Sequence, residues 1–287
     1  MFAVTGMTGQ VGAAVADHLL KDNAKVRAVV RNPEKAAGWN ERGCELAVAD
    51  MNDAASLTSA FEGAEAVFLV IPPFFDPMPG FPEVRGMLTT LKTAFEAAKP
   101  GKLVCLSTVG AQATRPNLLS QLGIVEKELS TLSIPVAFLR AAWFMENAAG
   151  DVMPARENGV IPSFLQPLDR AVPMIAVDDI GALGAKMLHE DWQGVRVAEL
   201  EAKERISPAM IAAAFAKALG RPVTAEIVPQ GSWEELFRAQ GMKNPEPRMR
   251  MLDGFNEGWI DFEGGREKSQ KGTTSIETAI RRLVAGA

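Results

Sequence analysis

The first twelve residues, Met-Phe-Ala-Val-Thr-Gly-Met-Thr-Gly-Gln-Val-Gly, constrain the fold more than any other stretch. Glycines at 6, 9 and 12 follow a short apolar run and lead into an amphipathic segment, Ala13 to Leu20, which reads as strand, tight turn and helix. A dinucleotide pyrophosphate needs such a turn. Backbone N–H groups must come against it, and a helix N-terminus must aim its partial positive charge at the phosphates. Gly6 and Gly9 let the backbone turn and approach, and Gly12 lets the helix pack close to the strand. The residues expected against such a ligand are Gly6, Met7, Thr8, Gly9, Gln10 and Val11. Glycines at this spacing also recur by chance, so the strand before them and the helix after them carry the weight.

The second half of the unit is Lys25 to Pro33, an apolar strand ending at Arg31. An acid at this strand end would hold a ribose 2′-hydroxyl, whereas an arginine accommodates a 2′-phosphate. No acid occurs between Ala24 and Pro33. Arg31, with Lys35 a turn later, therefore points to NADP(H) over NAD(H). The alternative is that both cations belong to an ordinary solvated loop.

Composition narrows the remaining classes. A chain of 287 residues with 47% apolar residues can build one large α/β domain with additions, or two domains. A net charge of −5 with mixed signs offers no basic field for nucleic acid. No run approaches the ~18 uninterrupted apolar residues of a membrane span, so a soluble, cytoplasmic protein, monomer or homodimer, is expected. Cys44 and Cys105 lack metal-ligand spacing, and His18 and His189 fall in helical patterns, so neither a metal site nor a histidine triad is expected. The chain has no tyrosine.

Further along, Gly43 to Asp50 reads as a third strand, with Asp50 and Met51 at its carboxyl end, and Asn52 to Gly63 as a helix. Ala64 to Ile71 is a buried strand stopped by Pro72 and Pro73; an aromatic, proline-rich loop to Gly80 and a helix over Pro82 to Ala98 follow. Lys102 to Thr108 and Val136 to Arg140 are the next strands, separated by a helix from about Leu119 to Leu132. The alternation predicts an α/β fold: a Rossmann-type doubly wound, mostly parallel sheet over 1–150, with parts of 170–200 returning to it, and a smaller α/β C-terminal lobe over 151–287. Ligands bind such sheets beyond the carboxyl ends of the strands. Val70, Ile71, Pro72, Ser107 and Thr108 are therefore expected beside the cofactor, and Pro73, Phe74, Trp143, Phe144 and Asn147 around a substrate pocket. In the second half, Val172 to Val177 and Val195 to Leu200 read as strands and Asp178 to Leu188 as a helix. Ser207-Pro208, Ser232 with Glu235, and Thr274 with Glu277 read as helix starts, whereas Asn244 to Met251 fits no element.

Thr5-Gly6-Met7-Thr8-Gly9-Gln10-Val11-Gly12, Arg31-Asn32-Pro33, Leu139-Arg140 leading to Trp143-Phe144-Met145-Glu146-Asn147, Val177-Asp178-Asp179-Ile180 and Gly220-Arg221-Pro222-Val223 together resemble the NmrA-like group of atypical short-chain dehydrogenases/reductases. Within it the chain is most similar to bacterial NAD(P)H:quinone oxidoreductases and triphenylmethane-dye reductases. The resemblance implies NADP(H) on a Rossmann domain and a small-molecule acceptor under the C-terminal lobe. Ordinary short-chain dehydrogenases use a Tyr-x-x-x-Lys pair to protonate a carbonyl oxygen. Here no tyrosine exists, Leu122 or Gly123 stands where related reductases often keep a lysine, and Lys127 beside Glu126 reads as an ordinary charged helix face.

Losing a positioned acid disfavours simple ketones by roughly 10²- to 10⁴-fold in rate. A quinone or cationic dye needs little proton transfer, because the product charge is delocalised or neutralised. The expected activity is therefore NADPH-dependent hydride transfer to a quinone or similar conjugated electrophile, with Thr108 or Asn147 donating a hydrogen bond to the developing oxyanion. The alternative is a non-catalytic NADP(H)-binding sensor acting through protein contacts; an isomerase lacks an acid/base pair. The aromatics of the pocket could equally be packing between lobe and sheet.

Overall fold

Six apolar runs in the first half of the chain become short strands: β1 (Phe2–Thr5), β2 (Val26–Val30), β3 (Glu45–Val48), β4 (Ala66–Leu69), β5 (Leu103–Thr108) and β6 (Val136–Ala141). In the computed structural model, which describes residues 1–286, six more follow. They are β7 (Trp143–Phe144), β8 (Val160–Ser163), β9 (Met174–Ile175), β10 (Val195–Ala202), β11 (Thr224–Ile227) and β12 (Gln270–Gly272). Eight strands make one sheet in the order β12-β10-β6-β5-β4-β1-β2-β3, and every neighbouring pair is parallel. All side chains of β1, β4 and β6 are buried, as strands covered on both faces require. This is the Rossmann-type doubly wound sheet, extended at one edge by β10 and β12.

Two layers of helices cover it. On one face Gln10–Lys21 and Val177–His189 lie side by side, brought together by small residues: a Cβ on Gly181 would stand 2.6 Å from that of Ala14. Asp178 and His18 tie the same pair at 2.9 Å. On the other face Ala54–Phe61, Pro82–Ala98 and Ser120–Leu129 bury Leu57, Phe61, Leu91, Phe95, Val125 and Leu129. Two short parallel pairs, β8 with β11 and β7 with β9, stand outside this sheet.

Several local expectations change. The strand foreseen over Val172 to Val177 shrinks to Met174–Ile175, because Val172 turns to form an antiparallel bridge with Ile206. Ser232 does not cap the helix Trp233–Ala239; its hydroxyl donates to the Pro229 carbonyl at 2.7 Å instead. Ser275 rather than Thr274 starts the last helix, accepting from Thr278 N at 3.3 Å, while Thr274 N donates to Asp179. The stretch Asn244 to Met251 enters a regular helix, Glu246–Glu257, with Pro247 in its first turn, where a missing N–H is harmless. Ser207 does cap Pro208–Leu219, accepting from Met210 N at 3.3 Å. No helix among the described residues is long and apolar enough to cross a membrane.

Candidate cofactor and acceptor site

The strand order reverses between β1 and β4, and the crevice at their carboxyl ends is where such sheets bind ligands. Buried Thr5 fixes it: its hydroxyl accepts from Val70 N at 2.8 Å, drawing the ends of the two strands together. Gly6 then turns with φ +69°, and a Cβ there would stand 3.0 Å from that of Val70. Gly9 N closes the turn onto Gly6 O at 2.9 Å. A Cβ on Gly12 would stand 2.4 Å from the Gly6 carbonyl, so this glycine sets the distance between helix and strand. Gly9 meets only Gly6 O at 3.4 Å, which is ordinary contact. Its bareness serves approach from outside, not packing within.

The helix Gln10–Lys21 begins at Gly9 without a side-chain cap and without an acid in its first turn. Thr8, Gly9 and Gln10 are exposed there, leaving the first amides and the positive end of the helix open to an anion. Met7 and Val11 are buried in the core, so each has only its main chain to offer a ligand. The Met7 carbonyl is held by the indole N–H of Trp39 at 3.0 Å.

Past β2, Arg31 and Lys35 are exposed and belong to no ion pair among the described residues. The Asn32 side chain between them accepts from Glu34 N at 2.9 Å, shaping the turn. Past β3, Asp50 spends one carboxylate oxygen on Asn52 N at 2.8 Å, while half-buried Met51 packs against the core under this edge. Past β4, Ile71 is half-buried, Pro72 and Pro73 are exposed, and Phe74 packs partly against the same core.

The proline-rich loop is pinned at two points that the sequence does not announce. Gln121, buried in the helix Ser120–Leu129, donates to the Phe74 carbonyl at 3.0 Å. Asp76 accepts from Lys243 N at 2.9 Å and Asn244 N at 2.7 Å, binding the loop to the C-terminal lobe. Those two bonds hold its carboxyl below the usual carboxylate range. Gln121, Val125 and Leu129 are four apart, and a glutamine on an apolar stripe was the available signal.

At the end of β5, Ser107 and Thr108 part company. The Ser107 hydroxyl turns into the protein and donates to Glu126 at 2.5 Å, while half-buried Thr108 donates to the Val109 carbonyl at 3.2 Å. Glu126, expected on a solvated helix face, is instead sheltered. Both its oxygens accept from Arg140, at 2.9 and 2.7 Å. Arg140 also reaches Glu199 at 3.3 Å and Glu263 at 2.8 Å. Burial alone would lower the Arg140 pKa, but the bonds and charges of Glu126 and Glu263 outweigh it and raise it. This cluster fastens β5, β6 and β10 to one another beneath the site. A lysine at position 123 is excluded by packing, since a Cβ on Gly123 would lie 2.4 Å from the Ala111 carbonyl.

Past β6, Trp143 and Phe144 form β7, both half-buried against the core. Trp143 meets Phe255 edge-on at 5.1 Å, so it also packs against the helix Glu246–Glu257. Glu146 accepts from Val177 N at 3.0 Å, starting the helix Val177–His189; burial raises its pKa against those bonds. Asn147 is exposed.

These segments all follow the carboxyl ends of adjacent parallel strands, and their arrangement is that of a known group. A model of the NmrA-like family matches residues 1–269. The chain belongs to the NmrA-like family. It is similar to quinone oxidoreductase 2 of Escherichia coli, 28% identical over 84% of this chain and 82% of that protein. It is also similar to the NAD(P)H azoreductase of Xenophilus azovorans, 27% identical over 90% of this chain and 85% of the other. Among solved structures, the NADPH complex of the E. coli quinone oxidoreductase QOR2 superimposes with a TM-score of 0.81 at 24% identity, covering 99% of each chain. Among the described residues of this NmrA-like protein, no group of three His, Cys, Asp or Glu side chains could hold a metal ion.

Proposed function

We propose that this NmrA-like protein is an NADPH-dependent reductase that passes hydride to a quinone or similar conjugated electrophile. The observation that carries this reading is the uncapped helix start at Gly9 after β1, with Arg31 and Lys35 past the neighbouring strand β2 and free of ion pairs among the described residues. Open amides suit a pyrophosphate, and the cations suit a 2′-phosphate. Two curated relatives with more than four-fifths of their length matched are named as a quinone oxidoreductase and an azoreductase, both acting on conjugated acceptors.

When bound, the nicotinamide would supply the hydride; the chain's own residues would bind and orient. Gly6, Met7, Thr8, Gly9, Gln10 and Val11 would hold the pyrophosphate through main-chain N–H groups. Asp50 and Met51 would flank the adenine, and Val70, Ile71, Pro72, Ser107 and Thr108 would line the rest of the crevice. Ser107 would do so through its main chain, since its hydroxyl is committed to Glu126. Pro73, Phe74, Trp143 and Phe144 would supply flat apolar walls for the acceptor and exclude water. The exposed amide of Asn147, or the Thr108 hydroxyl after leaving its local carbonyl, would stabilise the oxygen on which charge develops. With no tyrosine in the chain, acceptors that delocalise that charge are favoured over simple ketones.

The test is nicotinamide oxidation with a panel of quinones, beside direct titration of both cofactors. Turnover with NADPH is expected, together with an Arg31→Ala variant that weakens NADPH about tenfold or more while scarcely altering NADH. Tight NADPH binding without turnover of any quinone would favour the sensor reading. Equal loss for both cofactors would remove Arg31 from the phosphate.

A further inference from the structure

Three sheltered arginines of this protein are matched with acids. Arg140 meets three carboxylates, Arg205 meets Glu201 and Asp261, and Arg27 meets Glu45. Arg248 is half-buried and, among the described residues, has none. Among the described residues its guanidinium lies 4.4 Å over the ring of Phe237 and 3.7 Å from the sulfur of Met242. Burial pushes its pKa down with no nearby charge to oppose it. A ring face and a thioether are weak company for a desolvated cation, which in most proteins is paired or left in water.

Its position gives the exception a use. On the helix Glu246–Glu257, Arg248 shares one face with Met251, Leu252 and Phe255, and Phe255 is the residue against Trp143. Met251 and Trp143 pack on the same small apolar cluster as Phe237 and Met242. Met242 directly precedes Lys243 and Asn244, the two residues fastened to Asp76 of the proline-rich loop. Arg248 therefore stands on the part of the lobe that spans from that loop to Trp143, the two walls of the proposed acceptor chamber.

We propose that Arg248 is an anion seat of this chamber, and that the preferred acceptors are conjugated electrophiles bearing a carboxylate, sulfonate or phosphate beside the reducible system. The inference rests on the reductase reading only for the identity of the ligand; the unmatched guanidinium is independent of it. A planar ring would lie between the aromatic walls, and its acidic arm would replace the water that Arg248 has lost with charge-assisted hydrogen bonds. Binding by a fork of donors also fixes orientation, which is what hydride transfer requires of a flat acceptor that could otherwise slide.

The experiment compares 1,4-naphthoquinone with 1,4-naphthoquinone-2-sulfonate at saturating NADPH, in the wild type and in Arg248→Gln and Arg248→Lys. The expected result is that Arg248→Gln raises the ratio of sulfonate KM to neutral-quinone KM by about tenfold, the size of one charge-assisted interaction. Arg248→Lys should recover part of that ratio. An unchanged ratio, whether both KM values move together or neither moves, overturns the proposal, because a packing role would not distinguish the two quinones. Binding of 2-naphthalenesulfonate to the NADP⁺-saturated protein, followed by tryptophan fluorescence, provides a readout free of turnover. Loss of that binding in Arg248→Gln sustains the anion seat even where no quinone is reduced, an outcome that would refute the reductase reading alone. Reduction of both quinones with naphthalenesulfonate binding indifferent to Arg248 would refute the anion seat alone.

Discussion

Gly9 and Gly12 carry the same side chain for opposite reasons, and substitution separates them. Gly12→Ala drives a methyl into the Gly6 carbonyl, so a loss of about 3 kcal/mol in urea unfolding is expected. Gly9→Ala meets only ordinary contact; its melting temperature should stay close to wild type while its affinity for NADPH falls. Comparable destabilisation by both would mean that Gly9 packs rather than admits a ligand. Asp151 offers a second test at this scale. Burial raises its pKa to about 6, so folding favours its protonated form. That stabilisation is complete below the ordinary carboxylate range and is lost as pH climbs through about 6. At pH near 8 the ionised group should detract up to about 3 kcal/mol. Asp151→Asn should therefore melt higher than wild type at that pH and show no gain near pH 4; a pH-independent difference would contradict the assignment.

Between elements, polar bonds at the edges decide what moves. The loop from Pro72 to Gly80 hangs from Gln121 on one side and Asp76 on the other. Asp76→Ala releases two amides at Lys243 and Asn244, and hydrogen exchange at those positions should quicken. kcat and KM for the acceptor should change together, as they do when a covering loop is loosened. Exchange unchanged at 243 and 244 would mean that another contact holds the loop. The cluster around Arg140 acts differently, because it is buried and joins three strands and a helix. Arg140→Met would leave Glu126, Glu199 and Glu263 without their common cation, at an expected loss of about 3–5 kcal/mol. Glu126→Gln in that background should recover part of it.

For the molecule as a whole, the decisive fact is that the sheet does not end where the first half of the chain does. β10 and β12, from residues 195–202 and 270–272, complete the same sheet that β1 begins. Both halves should therefore unfold together, with tryptophan fluorescence and far-ultraviolet circular dichroism giving coincident urea transitions. Saturating NADPH should raise that single transition, by about 2.7 kcal/mol at a hundredfold excess over its dissociation constant. Two separated transitions, with NADPH shifting only one, would show that the lobe folds independently.

Much of this was written locally and could be read locally. Thr5 to Gly12 specified the turn and the helix start, the apolar runs specified strands buried on both faces, and Ser207-Pro208 marked a helix, because each depends on residues a few positions apart. Arg31 was legible as a cation at a strand end for the same reason. What the sequence left open depends on partners far along the chain. Glu126 looked solvated until Arg140 closed on it, the Ser107 hydroxyl found its partner only in Glu126, and Gln121 gained its role only from Phe74. Among the described residues, Arg248 differs from the sheltered Arg27, Arg140 and Arg205 by the absence of a neighbouring acid in space. Strand, turn and cap follow from short-range sterics and hydrogen bonding, whereas burial and ion pairing are settled only when distant segments meet.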